Sequence, residues 1–163
     1  MRTQQLKRRC VEWQRRADRL DEALVRFMSA KGISLLRLTL AIVYLWFGGL
    51  KLIQTSPASE RVVRTLFWLP PHTALNLIGG WEVLIGLGLL LTLPLVLRIT
   101  LLLLWLQLAG TFQTFILLPD LMFQNGNFLQ PTLEGQYTFK NLILITAGLV
   151  IGSTVRRQQG KVG

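Results

Sequence analysis

The sequence predicts an all-α fold, an integral membrane four-helix bundle with an N-terminal amphipathic cytoplasmic helix. Three observations predict it. Four apolar runs, the middle two joined at Pro94, occupy about half of the 163 residues. Basic residues crowd one side of those runs. Ahead of the first run, residues 1–32 repeat apolar positions at helical spacing and carry arginine on the other face.

The first run, residues 33–53, is interrupted only near its ends, by Arg37 and Lys51. At about 20 residues it matches a hydrocarbon core about 30 Å thick. From Ala74 to Leu118 the chain is almost continuously apolar. One helix of that length, at about 1.5 Å per residue, would be roughly twice the bilayer thickness. Pro94 interrupts the run and Arg98 follows, which predicts a tight hairpin between spans at 74–93 and 95–118. The fourth run, 137–155, ends at Arg156 and Arg157.

Orientation follows from Lys and Arg, which are retained on the cytoplasmic side of span ends. The leader carries nine of them, the Pro94 turn carries Arg98, and the tail 156–163 carries Arg156, Arg157 and Lys161. These three segments belong inside. Connection 54–73 sets Arg61 and Arg64 against Glu60, and connection 119–136 has Asp120 and Glu134 without Lys or Arg, so both belong outside. A three-span reading would put either the leader or the tail on the wrong face. The expected location is the cell inner (plasma) membrane, multi-pass, with both termini cytoplasmic. The net charge of +10 beside membrane spans reads as attraction to anionic lipid rather than to nucleic acid. Expected partners are therefore membrane lipids and other membrane proteins. A cleavable signal peptide is not expected, because the polar leader is too long for an n-region.

Within the leader, Leu6, Cys10, Trp13, Ala17, Leu20, Leu24 and Phe27 recur at alternating spacings of four and three, one apolar stripe on a helix. Arg8, Arg9, Arg15, Arg16 and Arg19, with Trp13, are the candidate lipid- or partner-docking residues. Such a helix lies on the inner leaflet or packs its seam on a partner helix. Cys, Trp and Ala in the seam fit the first mode better than a coiled coil. In the first outer connection, Ser56–Pro57 predicts a helix start, and Val62, Val63, Leu66 and Phe67 predict a short apolar face ended by Pro70 and Pro71. In the second, the turn formers Asn125, Gly126, Asn127 and Pro131 lie among Phe123, Phe128 and Leu129, a segment expected to fold over the bundle as a lid.

Charges inside a span need a partner, water or a role. Arg37, Lys51, Glu82 and Lys140 are the four in question. Arg37, Tyr44 and Lys51 are seven apart and share a helix face with Gly48; Gly79, Glu82 and Gly86 share another. Gln107, Gly110, Thr111 and Thr114 form a polar stripe on the third span, with Gln113 beside it, and Lys140 and Asn141 open the fourth. Depth places Tyr44, Lys51, Glu82, Thr111, Gln113, Thr114, Lys140 and Asn141 in one candidate outer-half polar pocket, with Glu82 balanced by Lys51 or Lys140. The alternative is that these groups pair only with one another and hold the helices together. Arg37, at the inner end, is expected to snorkel to the interface.

Some chemistry is excluded. Cys10 is the only cysteine, so an internal disulfide or a Cys-X-X-Cys couple is impossible. His72 is the only histidine, which leaves no pair for a haem and too few ligands for structural zinc. No phosphate loop, nucleophile elbow or His-Glu-X-X-His sequence occurs. No metal site, no catalytic residue and no cofactor within the chain are expected, and catalysis by the chain itself is not indicated.

Three short motifs carry a family resemblance: Trp46 to Lys51 (Trp-Phe-Gly-Gly-Leu-Lys), Gly79 to Glu82 (Gly-Gly-Trp-Glu) with Gly86 four residues on, and Gly135-Gln136-Tyr137 followed by Lys140-Asn141. Over residues 32–155 the chain resembles the DoxX-like family of small four-span membrane proteins, with the basic leader as an addition. The resemblance implies a left-handed four-helix bundle in which Glu82 and Lys140 matter most. The family is functionally mixed. Members are linked to quinone-coupled sulfur oxidation and redox stress, and distant relatives to assembly or trafficking of membrane proteins.

Two functions follow as expectations. The first is a non-catalytic accessory subunit or assembly partner of a larger membrane complex, of the electron-transfer kind. The second is a membrane protein that holds a quinone, lipid or similar amphiphile in the outer pocket through Glu82, Lys140 and Gln113.

Overall fold

Between Arg2 and Gly48 there is no proline and a single glycine, Gly32, and one glycine costs roughly 1 kcal/mol relative to Ala, too little to interrupt a long helix. In the computed structural model the first element, α1, accordingly runs unbroken over Arg2–Leu52, 51 residues, with no boundary at the expected join between leader and first span. The structure describes residues 2–56 and 59–154, apart from the side chains of residues 2–12 and Arg15. Pro57, the tail with Arg156, Arg157 and Lys161, and the side chains of Leu6, Arg8, Arg9, Cys10 and Arg15 lie outside the described residues.

The chain divides into two compact units, residues 1–35 and 36–163. In the first, Trp13, Leu20, Leu24 and Phe27 of the apolar stripe are exposed, at 72, 73, 56 and 55%. Arg16 and Arg19 are exposed as well.

In the second unit α1 is followed by α2 (Ser59–Thr65), α3 (Pro71–Leu90), α4 (Pro94–Leu117), α5 (Pro119–Met122), β1 (Phe123–Gln124), β2 (Asn127–Pro131), α6 (Leu133–Lys140) and α7 (Leu142–Gly152). Pro71 and Pro94 each open a helix at its first turn, where a missing N–H costs nothing. Pro71 therefore begins α3 rather than closing the connection, and α3 starts three residues ahead of the expected 74. Leu93, held extended before Pro94 at φ −69 and ψ 126, forces the reversal between α3 and α4.

Among the described residues three helices are long and apolar enough to cross a membrane: the Arg16–Leu52 part of α1, α3 and α4. The chain is by this measure a membrane protein. The fourth apolar run is divided. Asn141 separates α6 from α7, keeps right-handed helical angles (φ −65, ψ −13), and leaves α7 with 11 residues, too short to cross about 30 Å alone at about 1.5 Å per residue.

The core of this unit draws on four segments: Leu40, Ala41 and Tyr44 of α1, Ile85 and Leu89 of α3, Leu97, Leu101, Leu104 and Leu108 of α4, and Ala147 and Ile151 of α7. α1 and α3 approach backbone to backbone, since a Cβ on Gly48 would stand 2.8 Å from the Gly79 carbonyl oxygen. Leucines and isoleucines such as Leu84, Leu102, Ile116 and Ile143 point outward. In hydrocarbon that arrangement carries no penalty.

Short elements gather beyond the ends of these helices. α2 begins at Ser59, not Ser56; the Ser59 hydroxyl donates to the Ser56 carbonyl at 2.6 Å. Val62 of α2 packs with Ala74 and Leu75, joined by Val63 and Leu66, but Phe67 is 83% exposed and leaves the expected face. The second connection is a β-hairpin, unanticipated as strands. Asn125 and Gly126 both take positive φ, 51 and 71, as a two-residue type I′ turn requires. Phe123 packs on Phe115 of α4 with ring centres 5.5 Å apart and Phe128 on Phe123 at 4.9 Å, which pins the hairpin down. Thr132 caps α6 by accepting from the Gly135 N–H at 3.1 Å.

Candidate functional site: a buried polar network

The helical repeat places Tyr44 and Lys51 on one face of α1, two turns apart. That face meets α3 where Gly48 and Gly79 touch, so Lys51 arrives beside Glu82. Its Nζ donates to Glu82 Oε2 at 2.6 Å. The other carboxylate oxygen, Oε1, accepts from Gln107 Nε2 of α4 at 3.1 Å. Gln107 Oε1 in turn accepts from the Tyr44 hydroxyl at 3.1 Å. One chain of hydrogen bonds thus runs Lys51, Glu82, Gln107, Tyr44 and joins three helices. Tyr44, Lys51 and Glu82 are 4, 5 and 7% exposed. Burial on this scale requires that a charge be paired, and each oxygen of Glu82 has its donor.

Of the eight residues expected in one pocket, the structure brings Tyr44, Lys51 and Glu82 into this network. Thr111 and Thr114 face the same side of α4 but bond outside the network, Thr111 to the Gln107 carbonyl at 3.0 Å and Thr114 to the Thr111 carbonyl at 2.6 Å and to Met122 Sδ of α5 at 3.7 Å. Gln113 is exposed on another face of α4. Lys140 is exposed, with its ammonium 4.9 Å from the centre of the Tyr137 ring, and is not the partner of Glu82. Asn141 serves as the junction between α6 and α7. The member of the network missing from the expected eight is Gln107. Its stripe with Thr111 and Thr114 was the signal that could have found it.

Arg37, expected to snorkel, is bonded within the protein. Its guanidinium bonds the carbonyl of Leu89 and, at 2.5 Å, that of Leu91. These are end carbonyls of α3 that no helical N–H reaches, so Arg37 closes the helix.

A second polar layer joins the short elements. Arg61 donates to Thr138 Oγ1 at 3.0 Å and to Glu134 at 3.4 Å, tying α2 to α6. Arg64 donates to Asp120 at 2.7 Å, tying α2 to α5, with Glu60 at 3.8 Å. The hydrogen bond and charge of Arg64 hold the Asp120 carboxyl below the usual range, and Asp120 raises the Arg64 guanidinium.

Chemically the network can bind helices to one another and hold a charge pair out of water. It contains no thiol and no histidine, and among the described residues no group of His, Cys, Asp or Glu is placed to hold a metal ion. Compared with known proteins, the chain matches no family model, and neither a curated protein nor a solved structure is significantly similar to it.

Proposed function

We propose that this chain is a DoxX-like, four-span protein of the inner membrane, with both termini cytoplasmic, that acts as a non-catalytic subunit or assembly partner of a larger membrane complex. The observation that carries the reading is the exposed apolar stripe of the basic leader, with Trp13, Leu20, Leu24 and Phe27 at 55% exposure or more. A helix of this kind gains stability when that stripe is covered by lipid or by a partner helix. The fourth span is the run 137–155, carried by the end of α6 and by α7. The buried groups of the network are spent on one another, which favours a scaffold over a reactive centre. Glu82, Lys140 and Gln113 do not converge on one cavity, so a quinone or lipid site finds no support in their placement.

The test is extraction from the protein's own membranes in mild detergent, followed by identification of what co-purifies. Recovery of a stoichiometric complex, lost when Leu20 and Leu24 are changed to Glu, is the expected result. A chain that elutes free of other proteins, with or without those changes, would sink the reading.

A further inference from the structure

The face of α4 turned away from the network is uncovered along its length. Leu102, Leu106, Ala109, Gln113 and Ile116 recur at spacings of four and three, and Leu102, Leu106 and Ile116 are 63, 57 and 82% exposed. Near Gly110 the exposed surface of α4 is shallowly concave, over Leu106, Ala109, Gly110, Phe112, Gln113 and Ile116. A Cβ added at Gly110 would meet nothing within 4 Å. Lipid accounts for the apolar residues. It does not account for Gln113, whose exposed amide has no hydrogen-bond partner among the described residues. At about 1.5 Å per residue Gln113 lies about 11 Å from the middle of α4, inside a hydrocarbon half-thickness of about 15 Å. An amide at that depth gains from any donor or acceptor it can reach.

We propose that this face pairs with the same face of a second copy of the chain, with Gln113 bonded to Gln113 of the second copy across a two-fold axis along the membrane normal. Copies of one chain insert with one orientation, so their α4 helices run parallel and position 113 meets itself at equal depth. An amide is both donor and acceptor and so complements its own image. Ala109 and Gly110, beside it, let the two backbones close in. The heptad spacing is the geometry of a left-handed pair. The proposal rests on the reading of α4 as a membrane span.

The test uses the full chain in its own membranes, with Cys10→Ser and single cysteines introduced as Ala109→Cys, Gln113→Cys, Leu84→Cys on α3 and Ile143→Cys on α7. Oxidation should join two copies through positions 109 and 113 and not through 84 or 143. Cross-links from 113 to a different protein, or equal yields at all four positions, would overturn the pairing. In reconstituted vesicles Gln113→Leu should raise the dimer dissociation constant roughly three- to tenfold while Gln113→Asn keeps most of the affinity. An unchanged constant for Gln113→Leu contradicts the proposal. Ready labelling of the position 113 thiol by a water-soluble maleimide would show that α4 is not a span and end both readings. An unlabelled thiol that never cross-links ends the pairing alone.

Discussion

Lys51 and Glu82 stand 31 positions apart in sequence and 2.6 Å apart in space, at the point where glycines let α1 and α3 touch. The pair is buried on both sides, so the cost of breaking it falls almost wholly on whichever charge is left behind.

Lys51→Met or Glu82→Gln alone should therefore destabilise the chain by about 3–5 kcal/mol, whereas Lys51→Met with Glu82→Gln should recover most of the loss. Equilibrium unfolding in micelles reads the difference. If the double variant loses the sum of the two singles, the charges are not acting as a pair.

The helix contact beside that pair makes a second prediction, in which neighbouring glycines respond with opposite sign. Gly48→Val drives a side chain into the Gly79 carbonyl and the Val83 side chain, both under 3.0 Å from its Cβ, and should cost about 1–3 kcal/mol. A Cβ at Gly80 meets nothing within 4 Å, so Gly80→Ala should gain roughly 0.5–1 kcal/mol by helix propensity. Equal melting temperatures for the two variants would contradict the close approach.

Arg37 holds two carbonyls at the end of α3 with a forked donor, and charged hydrogen bonds of this kind contribute about 1.5–3 kcal/mol. Arg37→Met should cost an amount in that range. Arg37→Lys should restore only part, because a point donor cannot span both acceptors. Full rescue by Lys would mean that charge near the interface, not capping, is the role of the residue.

Asp120 titrates below the usual Asp value of about 3.9 because Arg64 holds its charged form. Since the folded value is the lower one, the contribution of the pair is present above the unfolded value and lost as pH falls through the folded one. The pH window lies at and below about 4. Arg64→Gln should return the carboxyl to its ordinary range in a carbon-detected NMR titration. An unmoved titration would show that the ion pair does not form in solution.

The spans were legible because hydropathy over about 20 residues is a property of composition, and three of the four expected runs are single helices of sufficient length. The fourth was legible as a run but not as two helices: Lys140-Asn141 is its most hydrophilic point and lies at the junction, but in the sequence it reads as polar residues near the start of a single span. The site was partly legible for a different reason. Depth along a helix can be counted from the sequence, and it grouped Tyr44, Lys51 and Glu82 with Gln113 and Lys140. Rotation about the axis decides which of these meet. At about 100° per residue Gln107 and Gln113 are roughly 120° apart, so one reaches Glu82 and the other cannot. The hairpin escaped because β1 has 2 residues and β2 has 5, too few for alternation to show, although Asn125-Gly126 marked its turn.

The order of synthesis gives the Lys51–Glu82 contact a consequence in time. Lys51 leaves the ribosome 31 residues ahead of its partner, an interval of about 2–6 s at usual elongation rates. Until residue 82 has been made, α1 carries an ammonium whose counter-ion does not yet exist, and such a charge is costly in hydrocarbon. The contact therefore belongs to the finished pair of helices and can contribute nothing to α1 alone.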